Sequence, residues 1–383
     1  MQILPLNFLL YSMSGLWRPI QWSSKCSKLL YSLFTLMSIY LLIYLMLTNL
    51  LYIIFVSDNV EDFASSSLFF MSVISVFFKA VVAIFRRGRI INLIKILQEK
   101  PCRACNEEET NIQIKFDRSI RSYSMRYVVL CTFSAMGAVT GGVLDTLEGQ
   151  LPFNTWVPWH CTSFLLYWFT SLQEIVALII GTVVNVATET TILGFCLQTC
   201  AQFAILKHRL QKMAKSREKE LSWRNSLNNA SHQTGKLSEH ISHHLCIIRL
   251  AEMINDVFSQ VIFVQFFVSI LVLCSCLYHL SSHLTFTDVA TLIVFVFSMF
   301  VQIFIYCWAG NEVMLKSAEM SEAIYHMDWI LMTIDERKDL LMIMRRSTKP
   351  VKFTSSFLVT LTLESYANLL KASFSAFNLL QQF

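Results

Sequence analysis

Charge is what this sequence has least of. Only 15 % of its 383 residues are Asp, Glu, Lys or Arg, against 55 % hydrophobic, and the mean hydropathy is +0.52. Such a chain cannot cover a soluble globule with a polar skin. It also lacks the constellations that chemistry needs. There is no Gly-rich phosphate loop, no G-x-S-x-G and no closely spaced pair of intramembrane carboxylates on one helix, so an enzyme is not indicated. Cys102 and Cys105 form a C-x-x-C, but no second ligand pair accompanies it for zinc and no βαβ context for redox work. His240 and His244 stand at i,i+4 without an H-E-x-x-H. No metal and no cofactor are expected.

What the sequence has is apolar runs. Six are long enough to span a bilayer: Leu29–Val56, Phe63–Phe85, Tyr127–Leu147, Cys161–Leu206, Val257–Leu280 and Phe286–Ala309. A C-terminal helix from Thr354 to Phe383 makes seven. The segments between them differ sharply in basic charge. The N-terminal 28 residues carry three Lys and Arg, the loop 86–126 carries ten, 207–256 nine and 310–353 seven, while the loops between the other ends of the spans carry none. Lys79 and Lys371 are the two basic residues inside spans. The positive-inside rule then predicts an all-α membrane protein with seven transmembrane helices, a cytoplasmic N-terminus and an extracellular C-terminus. The formal charge of +5 thereby becomes a topological signal, and no nucleic-acid partner is implied. This orientation is opposite to that of G-protein-coupled receptors, and no DRY-like or NPxxY-like motif occurs. Nor do the halves show the inverted repeat with broken helices that marks many transporters.

Taken in order, residues 1–28 lack the layout of a cleavable signal and read as a cytoplasmic, partly interfacial lead-in, with Trp17 and Trp22 at headgroup level. Lys79, about six residues from the cytoplasmic end of its span, is expected to snorkel to the headgroups. Glu174 and Glu189 inside an apolar run should face protein or water. The helical pattern of the fourth span continues past Leu206 into HRLQKMAKSREKEL, which predicts cytoplasmic helical extensions packed as a bundle. The loop EGQLPFNTWVPWH is rigid and aromatic, suited to a lid.

In the C-terminal stretch, Lys371, Ser375, Asn378 and Gln382 are spaced +4, +3, +4 and form one polar stripe on a helix, with Leu379 and Phe383 a turn apart beside it. Two readings are open. The polar groups hydrogen-bond neighbouring helices, or several copies of the stripe line a conduit with the apolar pair as a dewetting gate. The residues after Lys371 extend only roughly 18 Å as a helix, short of the ~30 Å hydrocarbon core.

The stretches IYHMDWILM (324–332), LLMIMRRSTKPVKFTSSF (340–357) and LESYANLLKASFSAFNLL (363–380) resemble the C-terminal region of insect odorant receptors. The ending SAFNLLQQF is also similar to the pattern that closes the related insect gustatory receptors, with Ser375 and Ala376 in place of Thr and Tyr. The odorant-receptor resemblance implies an odorant-binding subunit of a ligand-gated, non-selective cation channel, hetero-tetrameric with a co-receptor subunit, multi-pass in the plasma membrane of a sensory neuron dendrite. It implies that the cytoplasmic extensions form an anchor, that residues 1–353 make the ligand-binding bundle, and that 354–383 supply a cytoplasmic first half and a pore-lining second half. Pore and gate positions then fall on Ser375, Asn378, Leu379, Gln382 and Phe383. Pocket walls fall on Phe69, Phe70, Thr140, Val176, Ile180 and Val289, for a small volatile apolar ligand amid membrane lipid. A gustatory receptor channel subunit and a membrane transporter are the alternatives.

Overall fold

The structure is a computed structural model that describes residues 3–19, 24–56, 60–153, 155–158, 163–223, 234–280, 286–355 and 359–380. Ten α-helices carry these residues: α1 Pro5–Met13, α2 Lys25–Phe55, α3 Val60–Phe85, α4 Arg87–Gln98, α5 Glu107–Leu147, α6 Phe164–Trp223, α7 Thr234–Leu280, α8 Phe286–Tyr325, α9 Ile334–Ser347 and α10 Leu363–Leu380. A two-stranded ladder, β1 Thr354–Ser355 and β2 Val359–Thr360, precedes α10. Six helices, α2, α3, α5, α6, α7 and α8, are long and apolar enough to cross a membrane. The seventh expected span corresponds to α10, which has 18 described residues and includes Glu364 and Lys371.

The axis of the fold is α6. Its 60 residues at ~1.5 Å each make a rod of about 90 Å, and residues 187–203 are buried on every side. A helix buried all round belongs at the centre, and α1, α2, α3, α5, α7 and α8 all pack on this one. The main core joins Ile192, Phe195, Phe203 and Leu210 of α6 to Leu250, Ile254 and Phe258 of α7 and to Ile303, Tyr306 and Val313 of α8. Much of it therefore lies beyond the apolar spans, where the helices run on toward the basic loops.

There the extensions do pack as a bundle. Arg209 of α6 forms two bonds to Glu109 of α5, Nε–Oε1 at 3.0 Å and Nη2–Oε2 at 2.7 Å, and also donates to the carbonyls of Pro101 and Arg103. Burial alone would raise the Glu109 carboxyl, but Arg209 and the Cys105 N–H outweigh it and hold that group below its ordinary range. His243 of α7 lies against Gln202 and Arg209 at 3.0 and 3.1 Å, and burial, with Arg209 beside it, pushes it down to about 3. α9 starts on a capping box, Thr333 with Glu336.

One sequence expectation is extended and another changes. First, α1 packs on the bundle: Tyr11, 1 % exposed, donates to Thr188 Oγ1 at 3.0 Å, and Leu4 lies so close to Gly194 that a Cβ there would meet its Cδ2 at 2.5 Å. One side of this short helix packs on α6, while the Trp17 ring lies 4.8 Å from that of Phe8, tilted by 45°, and holds Arg87 over its face at 5.0 Å. Second, the helix expected from Thr354 begins at Leu363. Thr354, Ser355, Val359 and Thr360 are β-branched or hydroxylated and pair as a ladder, Thr354 opposite Thr360. Asn255 Oδ1 accepts the Thr354 N–H at 2.8 Å, fixing the ladder to α7. Leu361 then passes over Gly310 of α8, where an added Cβ would meet Leu361 Cβ at 2.5 Å, so only glycine admits the approach.

Candidate functional site

Between the six apolar helices lies a cavity of about 250 Å³. Helical spacing selects its walls. Phe69, Ser72, Val73 and Val76 fall on one face of α3; Ala177, Gly181 and Asn185 on one face of α6; Cys131, Ser134, Ala135 and Ala138 on one face of α5, whose small side chains leave the room. Val268 and Gln265 of α7 and Phe295, Met299 and Gln302 of α8 complete it.

At the end away from the basic loops, the loop after α5 packs on the cavity wall. Phe153, from the loop after α5, stacks on Phe69 with ring centroids 5.2 Å apart and planes at 16°. Three further contacts hold this loop. Thr155 Oγ1 lies 2.6 Å from Glu174 Oε1, the Trp156 N–H donates to the Thr48 carbonyl at 3.2 Å, and the Trp156 ring meets Phe55 at 5.3 Å. The other end is polar. Lys79 of α3 is 1 % exposed, and its ammonium is paired with the Glu189 carboxylate of α6, which is 0 % exposed. Lys79 Nζ also donates to Asn185 Oδ1 at 2.7 Å, and Gln302 Nε2 donates to both Glu189 Oε1 and Asn185 Oδ1. Beside them Ser75 donates to Gln265 Oε1 at 2.8 Å and Gln265 Nε2 to Ser269 at 3.0 Å.

The expectation that Lys79 snorkels is thus overturned. A carboxylate on the facing helix stabilises the ammonium inside the bundle more directly than a reach to the headgroups would. Glu174 and Glu189 both face protein, each 0 % exposed. Of the expected wall residues, Phe69 lines the cavity. Phe70, Val176 and Ile180 each stand one residue from a lining position, Val176 exposed and the other two half-buried. Thr140 is exposed on α5, its hydroxyl donating to the Gly137 carbonyl at 2.8 Å. Val289 belongs to α8, with its side chain outside the described part. The polar residues Asn185, Gln265 and Gln302 were not foreseen. The available signal was Asn185 with Glu189 at i,i+4 within an apolar run that also faces a span carrying Lys79.

On α10, Leu369 and Ser373 are buried against the bundle, and Lys371, Ser375 and Asn378 are exposed on the side facing away from it. The side chain of Leu379 and residues Gln382 and Phe383 lie outside the described residues. Among the described residues no group of three His, Cys, Asp or Glu is placed to hold a metal ion.

Comparison with known proteins gives a consistent neighbourhood. The 7tm Odorant receptor family model matches residues 59–374. Odorant receptor 85b of Drosophila melanogaster is 23 % identical over 308 residues, covering 78 % of this chain and 76 % of that protein. Odorant receptor 10 of Aedes albopictus is 31 % identical over 154 residues, 40 % of each chain. The insect olfactory receptor OR5 from Machilis hrabei, in complex with eugenol, superposes with a TM-score of 0.83 at 15 % identity, covering 98 % of this chain and 97 % of that one.

Proposed function

Since the chain belongs to the 7tm odorant receptor family, we propose that it is the odorant-binding subunit of a ligand-gated, non-selective cation channel, and that it works beside a co-receptor subunit in a hetero-tetramer. The observation that carries the binding half of this reading is the cavity of about 250 Å³ enclosed among the apolar helices. It is slightly smaller than the ~300–1,000 Å³ typical of drug-sized ligands, which suits a small volatile molecule. Its walls are mainly apolar, so affinity comes from burial. Covering roughly 250 Å² of ligand surface at ~25 cal/mol per Å² gives about 6 kcal/mol before association costs, consistent with micromolar or weaker binding.

The channel half rests on α10. The side of the helix that carries Ser375 and Asn378 faces away from the chain's own bundle, so these groups are available to line an axis shared with other subunits. We place the conduit there, with the seventh span running through α10 to an extracellular C-terminus, and with Leu379, Gln382 and Phe383 at its narrow end. The family's plasma-membrane location in sensory neurons extends to this chain on the same reading. Asn and Gln amides carry no net charge, so discrimination among small cations would be poor.

The test is ligand-evoked current in cells expressing this chain with the co-receptor subunit, beginning with eugenol and a panel of volatiles. Ala138→Trp, which fills the cavity from α5, abolishes the response at equal surface expression if the cavity is the ligand site. An undiminished response would remove the site from this cavity. Leu379→Asn raises the resting current if α10 lines the path, and an unaltered one would exclude it.

A further inference from the structure

The hydrogen bonds at the polar end of the cavity fix more than the position of Lys79. An ammonium has only protons to give, so the Asn185 amide must turn its oxygen toward Lys79, as it does at 2.7 Å. A carboxylate can only accept, so Gln302 must turn its nitrogen toward Glu189. Both amide orientations are thereby set by charge, without the ambiguity that usually attaches to them. The Asn185 NH2 and the Gln302 C=O are left over. Both residues border the cavity, and their amides adjoin, Gln302 Nε2 lying 3.4 Å from Asn185 Oδ1. Neither remaining group has a protein partner among the described residues.

Four of the five Ser and Thr hydroxyls on the cavity wall, all but Ser134 of α5, do not compete for a ligand in the same way. Ser72, Thr182 and Ser298 each donate to a carbonyl one turn back on their own helix, at 3.0, 2.9 and 2.9 Å, and Ser75 donates to Gln265. Their protons are used. The Lys79 ammonium, by drawing on the Asn185 oxygen, makes the same amide a stronger donor on its other side. Because Glu189 balances Lys79, the floor carries no net charge.

Resting on the reading of this cavity as the ligand site, we infer that Asn185 and Gln302 form a donor and acceptor pair that selects small neutral ligands bearing one terminal hydroxyl. A hydroxyl accepts from Asn185 Nδ2 and donates to Gln302 Oε1. An ether or carbonyl of the same size engages the first alone and leaves the Gln302 oxygen unpaired in a dry site. An alkane leaves both unpaired, and a charged molecule would add net charge to a low-dielectric cavity.

The experiment compares matched probes on the purified full chain, read as ligand-dependent thermal stabilisation. Heptane, 1-methoxypentane and hexan-1-ol share size and differ in hydrogen-bonding capacity, and longer homologues of each extend the series. The alcohol is expected to bind about tenfold or more tightly than its isomeric ether, and the ether several-fold more tightly than the alkane. This comparison needs no variant. Gln302→Met, which keeps volume and removes the acceptor, should bring the alcohol and the ether to within about twofold of each other, the alcohol losing a partner and the ether losing the cost of an unpaired acceptor. Ala138→Trp should abolish stabilisation by all three. Equal binding of alcohol and ether to the parent chain, with Ala138→Trp eliminating both, would overturn the hydroxyl selection and leave the cavity as the site. Retained alcohol preference in Gln302→Met would also overturn it. Stabilisation that survives Ala138→Trp, or that no member of the series produces, would overturn both readings.

Discussion

Two ion pairs, about twenty residues apart on α6, use similar chemistry in different surroundings. Glu189 meets Lys79 with both side chains at 1 % exposure or less, and the helpers of the pair are amides, Asn185 and Gln302. Arg209 meets Glu109 at 11 % and 3 % exposure, and its helpers are mostly backbone, the carbonyls of Pro101 and Arg103 and the N–H of Cys105, with the His243 ring beside them. The first pair ties α3 to α6 and α8 beside a cavity. The second ties a loop to the helix extensions, where several spare partners share the load. A buried charge pair among apolar helices has no substitute if one member is lost, whereas one ringed by backbone partners has several.

That contrast breaks most visibly at Lys79. Lys79→Met should cost about 3–5 kcal/mol, seen as loss of folded protein at the cell surface, because Glu189 is left charged and uncompensated. The double variant Lys79→Met, Glu189→Met should recover most of it. A single variant as stable as the parent would show that the pair is not held as described. Arg209→Ala should cost less, about 2 kcal/mol in thermal or denaturant unfolding, and Arg209→Lys should restore only part of that, since an ammonium cannot reproduce the two-pronged contact with Glu109 and the two carbonyls.

Acid should act on the second region. His243 is held neutral, pushed down to about 3, while an unfolded imidazole titrates near ~6.5. Between those values the unfolded chain binds the extra proton, so stability falls as pH is lowered from about 6.5, by at most ~1.4 kcal/mol per unit for this residue. Glu109, whose folded value is depressed, contributes stability that is present above the ordinary carboxylate range and lost as pH falls through the folded value. A stability profile of the purified chain flat from pH 7 to 5 would contradict the His243 environment. Least of all should Lys212→Ala matter. Its contact with Glu108 at 2.6 Å is solvent-exposed on both sides, and no shift in unfolding midpoint is expected.

The sequence was most legible where one signal dominated. Long apolar runs located six helices, and the continuation of pattern past Leu206 announced the α6 extension. It was least legible where the answer depends on a distant partner. Whether Lys79 turns outward or inward is decided by Glu189, 110 residues away, and nothing local to LysAlaVal distinguishes the two. The same holds for α1, whose nine residues acquire their place only against Thr188 and Gly194. Cavity walls are hard for another reason. On a helix apolar all round, periodicity does not mark an inward face, so Phe69 and Phe70, or Val176 and Ala177, are equivalent until the packing is known.

The approach of Leu361 to Gly310 has a mechanical meaning. Gln302, on the cavity floor, and Gly310 stand on the same helix, eight residues or about 12 Å apart. Leu361 rests on Gly310 without a gap, and α10 starts two residues later at Leu363. In α8 the cavity therefore has a shaft, and in Leu361 that shaft has a bearing with no play. If the cavity is the ligand site as proposed, a small rotation of α8 about its own axis on seating a molecule against Gln302 would be handed to the base of α10 rather than absorbed by slack between them. Replacing Gly310 with a bulkier residue would then alter the stroke of that linkage even though it touches neither the cavity nor Asn378.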